Sequence, residues 1–350
     1  MTFTIEHVYN ELYPHFQERV RRNEPLANHC TFGVGGPADI WVSLQSRREL
    51  IGLVHLCAEG HWPLLIGGNG TNVLYADAGV RGIVAHVAAT NYHIENNGDD
   101  TALLVADAGV SWSTLLHELA PQGWGGLEFG VGIPGTLGGG VISNAGAHNG
   151  ELGQVLEWIE VLDARRSGDN EGDDIHLPQQ RRYQHDELDL GYRHSRFREQ
   201  RRSRFNEQGH LIPATRAMIE PAEIVLLLGI RLRRDEPAKL SNILGKHLLY
   251  RERTQPRQQH SGLIFKNPPG DYAGRLVDLA GMKGYTIGNA QISTLDPNFI
   301  VNLGGARAAD VAALIEETHR RVLEQSGIEL EVEVELRGEW DASNQTQNPR

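Results

Sequence analysis

Two stretches rich in glycine and small polar residues carry the first chemical signal in this sequence. The longer, residues 125–151, reads GGLEFGVGIPGTLGGGVISNAGAHNGE; the shorter, residues 66–74, reads IGGNGTNVL. Glycine this dense suits neither a helix nor a strand interior, because each one forfeits backbone entropy and offers no side chain to pack. It does suit close approach to a ligand. Backbone N–H groups at Gly132, Ile133, Gly135 and Thr136, spaced by Pro134 and followed by Gly138 and Gly139, can converge on a pyrophosphate. Gly67, Gly68, Asn69, Gly70, Thr71 and Asn72 offer the same donors at the end of an apolar run. A tight glycine turn is the other reading of each stretch, and the stretches alone leave both open. Neither matches G-x-G-x-x-G, and no Walker lysine follows.

A second signal is acidic. Between residues 328 and 336, Ile328, Leu330, Val332, Val334 and Leu336 alternate with Glu329, Glu331, Glu333 and Glu335. A period of two puts all four carboxylates on one face of a strand. Three of them read as solvated, and one, where the face borders a cleft, is a candidate acid or charge stabiliser. The one concentrated basic run, RFREQRRSR at 196–204, lies in polar surroundings and reads as a solvated loop.

The elements that must position these groups follow from periodicity. Val8, Leu12, Phe16 and Val20 predict a helix over 5–22, ended by Asn23-Glu24-Pro25. A strand at 38–44, a helix at 46–59 and a strand at 63–66 then run into the shorter glycine stretch, and ligands dock at such carboxyl ends of strands. Short strands at 82–87, 102–106 and 158–162, with a helix at 113–119, flank the longer stretch. Residues 164–190 and 196–222 read as polar insertions. A buried strand at 223–232 and a helix at 237–253 follow. Beyond them, strands near 287–293 and 299–303 and helices at 272–280 and 308–325 lead to the acidic strand. The mixture predicts an α+β fold.

Over 350 residues the formal net charge is −12, which excludes a general nucleic-acid surface and requires local cations for any anionic ligand. Cys30 and Cys57 lie far apart without metal-ligand spacing, so neither a disulfide framework nor a metal site is expected. No run of about 18 uncharged apolar residues occurs, and the opening residues lack a signal-peptide pattern. The expectation is a cytoplasmic protein with no membrane, nucleic-acid or protein partner.

Several separated segments, in order, resemble one family. NEPLANHCTFGVGGPADIW, IGGNGTNVL, GLEFGVGIPGTLGGGVISNAGAHNGE, GYRHS, FKNPPGDYAGRLVD, KGYTIGNAQIS, NFIVNLGGA and the EVEVELRGE end are similar to the UDP-N-acetylenolpyruvoylglucosamine reductases (MurB), from residue 23 to about 340. The resemblance implies a two-part FAD-binding domain of the vanillyl-alcohol-oxidase (PCMH) type and a C-terminal α+β substrate domain. In this chain those would be 23–90 and 91–235 for FAD and 236–340 for substrate, after an N-terminal helix within 1–22 and before a polar tail at 341–350. The implied activity is FAD-dependent reduction of UDP-N-acetylglucosamine enolpyruvate to UDP-N-acetylmuramate with NADPH, for peptidoglycan synthesis.

By the same resemblance both glycine stretches face FAD, with Ser143, Asn144, Ala145 and Gly146 near the flavin. Arg193 meets the substrate carboxylate and Glu333 is the glutamate of the last strand. Tyr192, Arg251, Lys266 and Asn267 surround the substrate, Arg251 and Lys266 being suited to a diphosphate. The chemistry asks for such a set: reducing the enolpyruvyl double bond builds negative charge beside a carboxylate, which needs a cation, a polar stabiliser and a proton donor.

One departure stands out. The family's proton-donating serine or cysteine follows the glycine of the segment ending FKNP, and here that position is Leu263. Ser261 is a possible substitute, on the same face if the segment is extended but about 6.6 Å away along it. Asp296-Pro297 is a lesser departure, standing where a histidine-alanine pair is expected. Two readings follow: a working reductase with another proton source, and a catalytically impaired flavin-binding protein acting as a sensor or interaction partner.

Overall fold

The computed structural model describes residues 4–98, 100–165 and 177–340. Part of the 164–190 segment and the tail 341–350 lie outside these residues. The chain builds two main sheets and a smaller C-terminal α/β unit, each with its own apolar cluster.

The first sheet has five strands in the order Val20–Pro25, Pro37–Leu44, Val80–Val87, Leu64–Gly67 and Ile219–Glu220. All neighbours run parallel except the first pair. Helix Ile5–Phe16 buries Val8, Leu12 and Phe16, and helix Arg47–Gly60 buries Leu50, Leu53, Val54 and Cys57, in the same cluster as strand residues Ile40 and Ile83. Ser46 starts the second helix by accepting from the Glu49 N–H at 3.2 Å. The first helix is shorter than its periodicity predicts. It ends where Gln17 adopts φ 51°, and residues 20–25 form an edge strand with Val20 opposite Val42. Val20 does point into the core, but from a strand whose partner lies about 20 residues on, out of reach of a local pattern.

The second sheet is antiparallel, in the order Gln179–Gln184, Leu156–Asp163, Glu223–Arg234, Thr101–Asp107 and Tyr92–Asn96, with Trp124–Gly125 pairing the end of Glu223–Arg234. Residues 179–184 were expected to be exposed insertion and are instead an edge strand. Its sequence, QQRRYQ, is polar because only Tyr183 is buried. The 196–222 segment is also more than an insertion. Phe197, Arg198 and Leu211 are buried within it, and Ile219–Glu220 extends the first sheet.

Helix Leu137–Ser143 carries the glycine-rich stretch and packs on the second sheet, with Thr136 capping it by accepting from the Gly139 N–H at 3.2 Å. In the C-terminal unit, helices Ala273–Leu279 and Ala308–Ser326 cover the strands Thr286–Ile287, Ala290–Ile292 and Ile300–Asn302. The acidic strand forms regular pairing only at Glu335–Arg337, parallel to Val73–Tyr75. Its alternation is nonetheless real, since Leu330, Val332, Val334 and Leu336 are all buried.

The helix at 137 sits close enough to its sheet that glycine is required. A Cβ at Gly138 would lie 2.6 Å from Ala108 Cβ and 3.0 Å from its carbonyl oxygen. Gly138→Ala is therefore expected to cost about 1–3 kcal/mol of stability, seen as a lower urea midpoint with unchanged slope.

Candidate active site

One cleft of about 570 Å³ brings both glycine stretches together with Arg193, Arg198 and Arg201, the 255–263 segment, Phe299 and the last strand. Its first wall is the loop 67–72, which leaves strand Leu64–Gly67 and returns as Val73–Tyr75. Asn69 Nδ2 donates to the Pro134 carbonyl at 3.0 Å and so ties this loop to the second stretch. Asn72 Nδ2 donates to the Glu333 carbonyl at 3.1 Å, tying it to the last strand as well.

The glycines divide by use. A Cβ at Gly68 would meet Thr136 Oγ1 at 2.7 Å, one at Gly70 the His29 carbonyl at 2.3 Å, and one at Gly132 the Arg251 side chain at 2.8 Å. These positions serve close packing of chain on chain, and Gly68 and Gly70 line the cleft as well. Gly67, Gly135 and Gly139 line the cleft, and a Cβ on them would meet no atom within 3.7, 3.2 and 3.4 Å respectively. Gly67 and Gly135 are candidate main-chain contacts for a cofactor, whereas the Gly139 N–H is already taken by Thr136 Oγ1. Ile133, Pro134, Thr136, Thr71, Ser143, Ala145 and Gly146 also line the cleft, whereas Gly132, Gly138 and Asn144 do not. Asn144 is fully buried in a left-handed turn, donating to the Gly191 carbonyl at 2.9 Å and accepting from the Gly153 N–H at 2.8 Å. It latches the glycine stretch to the segment bearing Arg193.

Arg193 is itself left-handed, with φ 52°, and its Nη2 donates to the Gly146 carbonyl at 2.8 Å. Glu333 lies in the same cleft, 7% exposed, its Oε2 buried without a hydrogen-bond partner. Burial raises its pKa, opposed by the nearby charges of Arg198, Arg193 and Lys266. Lys266 pairs with Glu331, and burial, helped by Arg202 and Arg198, brings it down to about 8. Lys266, Tyr192 and Asn267 are outside the cleft lining. Tyr192 is exposed, and Asn267 Oδ1 accepts from the Ala273 N–H at the start of a helix. Arg251 does line the cleft, from helix Pro237–Thr254, and burial lowers its pKa.

Both residues of the serine–leucine question face this space. Ser261 is 1% exposed and its Oγ has no hydrogen-bond partner; Leu263 is partly exposed. The segment is not extended as expected, because Gly262 between them has φ 85° and donates its N–H to His260 Nδ1 at 2.9 Å. That bond leaves the proton of the neutral His260 ring on Nε2. The ring lines the cleft, edge-on to Phe299, and burial lowers its pKa, with Arg251 adding to the effect.

The sequence reading missed Arg198, Arg201 and Arg337. Arg198, from the supposed solvated loop, is 1% exposed and donates to the Glu335 carboxylate and to the Glu333 main-chain carbonyl. Arg201 Nε and Arg337 Nη2 reach Glu335 Oε2 at 3.0 and 2.7 Å, and Arg202 pairs with Glu331. The solvated reading of the glutamate face therefore holds for Glu329 alone, whose side chain is 75% exposed. The signal that was available is complementarity: one basic run and one acidic face in a chain with net charge −12.

Burial pushes Glu335 up, yet Arg201, Arg337 and Arg198 together bring it down to about 2. An unfolded glutamate titrates near 4.3, so this group contributes stability that is full above that value and lost as pH falls towards 2. Urea midpoints are expected to fall between pH 5 and pH 3, and Glu335→Gln to flatten that fall.

Among the described residues no group of histidine, cysteine or carboxylate side chains is arranged to hold a metal, and no helix is long and apolar enough to cross a membrane. Both cysteines are free.

A family model described as "FAD binding domain" matches residues 38–166, and one described as "UDP-N-acetylenolpyruvoylglucosamine reductase, C-terminal domain" matches residues 255–337. The UDP-N-acetylenolpyruvoylglucosamine reductase of Heliobacterium modesticaldum is 37% identical over 326 residues, 93% of this chain and 92% of that protein. UDP-N-acetylenolpyruvoylglucosamine reductase 2 of Symbiobacterium thermophilum is 37% identical over 91% of this chain. Among solved structures, UDP-N-acetylenolpyruvylglucosamine reductase (MurB) from Thermus caldophilus aligns with 91% of this chain and 98% of its own, at TM-score 0.68 and 33% identity. The α+β architecture, an FAD-binding domain followed by a C-terminal reductase domain, is thus shared across nearly the whole length, and the chain belongs to the UDP-N-acetylenolpyruvoylglucosamine reductase family.

Proposed function

We propose that this chain reduces UDP-N-acetylglucosamine enolpyruvate to UDP-N-acetylmuramate, using NADPH and bound FAD, in peptidoglycan precursor synthesis. The observation that carries this reading is the single cleft in which open glycine backbone, Arg193, Glu333 and Ser261 meet. The family membership supports it, and does not favour the alternative of an impaired sensor protein. In this reading residues 23–90 and 91–235 hold FAD and residues 236–340 complete the substrate side. A cytoplasmic setting goes with it, since substrate and reductant are both multiply charged and do not cross a bilayer unaided.

Gly67 and Gly135 would hold FAD through their backbone and Gly139 would leave it room, with Thr71, Thr136 and Ser143 adding hydroxyls. When bound, FAD supplies two-electron transfer between NADPH and the substrate double bond. The protein's part is electrostatic and protonic. Arg193, held by the Gly146 carbonyl, presents a fixed cation for the substrate carboxylate, where negative charge grows. Glu333, raised by burial, is able to hold a proton nearer neutrality than an exposed glutamate. Arg251 offers a cation for the diphosphate. Leu263 has no proton to give, so its side chain can only exclude water. Ser261 Oγ, buried and unpartnered in the same cleft and two residues from Leu263, is a hydroxyl available as proton donor in its place.

Two outcomes test this. Holoprotein reduced by NADPH without oxygen should be reoxidised by enolpyruvyl-UDP-N-acetylglucosamine, read as recovery of flavin absorbance in stopped flow; flavin that stays reduced would refute the reading. Leu263→Ser should raise the rate of that step, by up to the roughly 10²–10⁴-fold that a positioned acid contributes. No gain there, together with a loss in Ser261→Ala, would assign the proton to Ser261.

A further inference from the structure

Glu333 is held by hydrogen bonds at its main chain, while its carboxylate Oε2 makes none. Its N–H donates to the Ile264 carbonyl at 2.7 Å, and its carbonyl accepts from Asn72 Nδ2 at 3.1 Å and from Arg198 Nη2. The carboxylate Oε2 has no hydrogen bond, and Arg198 Nη2 stands 3.8 Å from it. Arg198 is in turn fixed. It is 1% exposed, its Nη1 donates to Glu335, and its N–H donates to the carbonyl of Ser195, whose own hydroxyl donates to the Ile142 carbonyl at 2.7 Å. The guanidinium thus joins two residues of the last strand, while the Arg198 main chain is tied through Ser195 to the glycine-stretch helix.

We infer that Arg198 is the positioning residue for Glu333: its fork sets the main chain on which the Glu333 carboxylate enters the cleft and supplies that carboxylate's nearest positive charge. A planar, permanently charged fork with fixed donor directions is suited to such a double hold, and a lysine ammonium is only a partial replacement. The other charged groups that act on Glu333 are Arg193 from the turn just before that segment, Lys266 from the 261–267 segment and Glu335 from its own strand. Arg193 and Lys266 have partners elsewhere, at Gly146 and Glu331. Arg198 is the cation joined to the Glu333 backbone itself.

Only the kinetic arm of the test rests on the reductase reading. Holoprotein carrying glutamate labelled with ¹³C at the side-chain carboxyl is titrated by NMR, with Glu333→Gln assigning the Glu333 signal. In Arg198→Gln the Glu333 midpoint should move to higher pH, because a neighbouring positive charge is lost, and Arg198→Lys should return most of it. Arg198→Gln leaves Glu335 with one guanidinium fewer, so the pair Arg198→Gln/Glu335→Gln, referred to Glu335→Gln alone, repeats the measurement without that imbalance. In the kinetic arm kcat should fall about 10- to 100-fold with KM for the enolpyruvyl substrate unchanged, the signature of a misplaced group rather than a lost binding contact. A Glu333 midpoint that does not move in either comparison overturns the inference. Wild-type protein inactive towards the substrate would overturn the proposed function, and the titration would still decide the role of Arg198.

Discussion

The burial of the last strand's carboxylates against arginines is the constraint on which the site depends. Glu335 is 6% exposed and held by Arg198, Arg201 and Arg337. A carboxylate in such a place is tolerable only with cations and hydrogen bonds around it, since removing one partner leaves an uncompensated buried charge. The same strand runs beside Val73–Tyr75, the direct continuation of the 67–72 loop. Fixing Glu335 therefore fixes Glu333 against one glycine loop, and Asn69 carries that register across to the other.

Two carboxylates two residues apart consequently behave in opposite ways. Glu335, among three guanidiniums, is driven to about 2, while Glu333, with its Oε2 unbonded, is raised by burial. Across the strand the same burial brings Lys266 down to about 8. Environment rather than residue type separates a structural charge from groups whose titration is drawn towards neutrality, the condition the proposed chemistry needs.

The glycine-rich stretches likewise do two jobs. Gly68, Gly70, Gly132 and Gly138 let backbone and side chains approach where a methyl group would collide, and Gly67, Gly135 and Gly139 line the cleft with less crowding. In the proposed reading the first group supports the second, because backbone donors hold an anion well only when the loops carrying them are fixed. Asn144 contributes in the same sense, binding Gly191 and Gly153 rather than facing the cleft.

Sequence by itself determined the parts governed by short-range pattern. Helices at Arg47–Gly60, Trp112–Leu119, Pro237–Thr254 and Ala308–Ser326 fall where apolar residues recur at helical spacing, and the period-two burial of Leu330 to Leu336 was readable from alternation. The ordered motifs, with Arg193 and Glu333 among them, were legible as well. Tertiary structure alone decided what happens to the polar face of each element. An edge strand such as Gln179–Gln184 and a basic run such as 196–204 look like solvated chain, because polarity within a segment does not say whether a neighbouring strand pairs with it or whether a partner of opposite charge lies 137 residues away. Arg198 and Glu335 are that case: each alone predicts water, and only the fold that brings them together makes burial the lower-energy state.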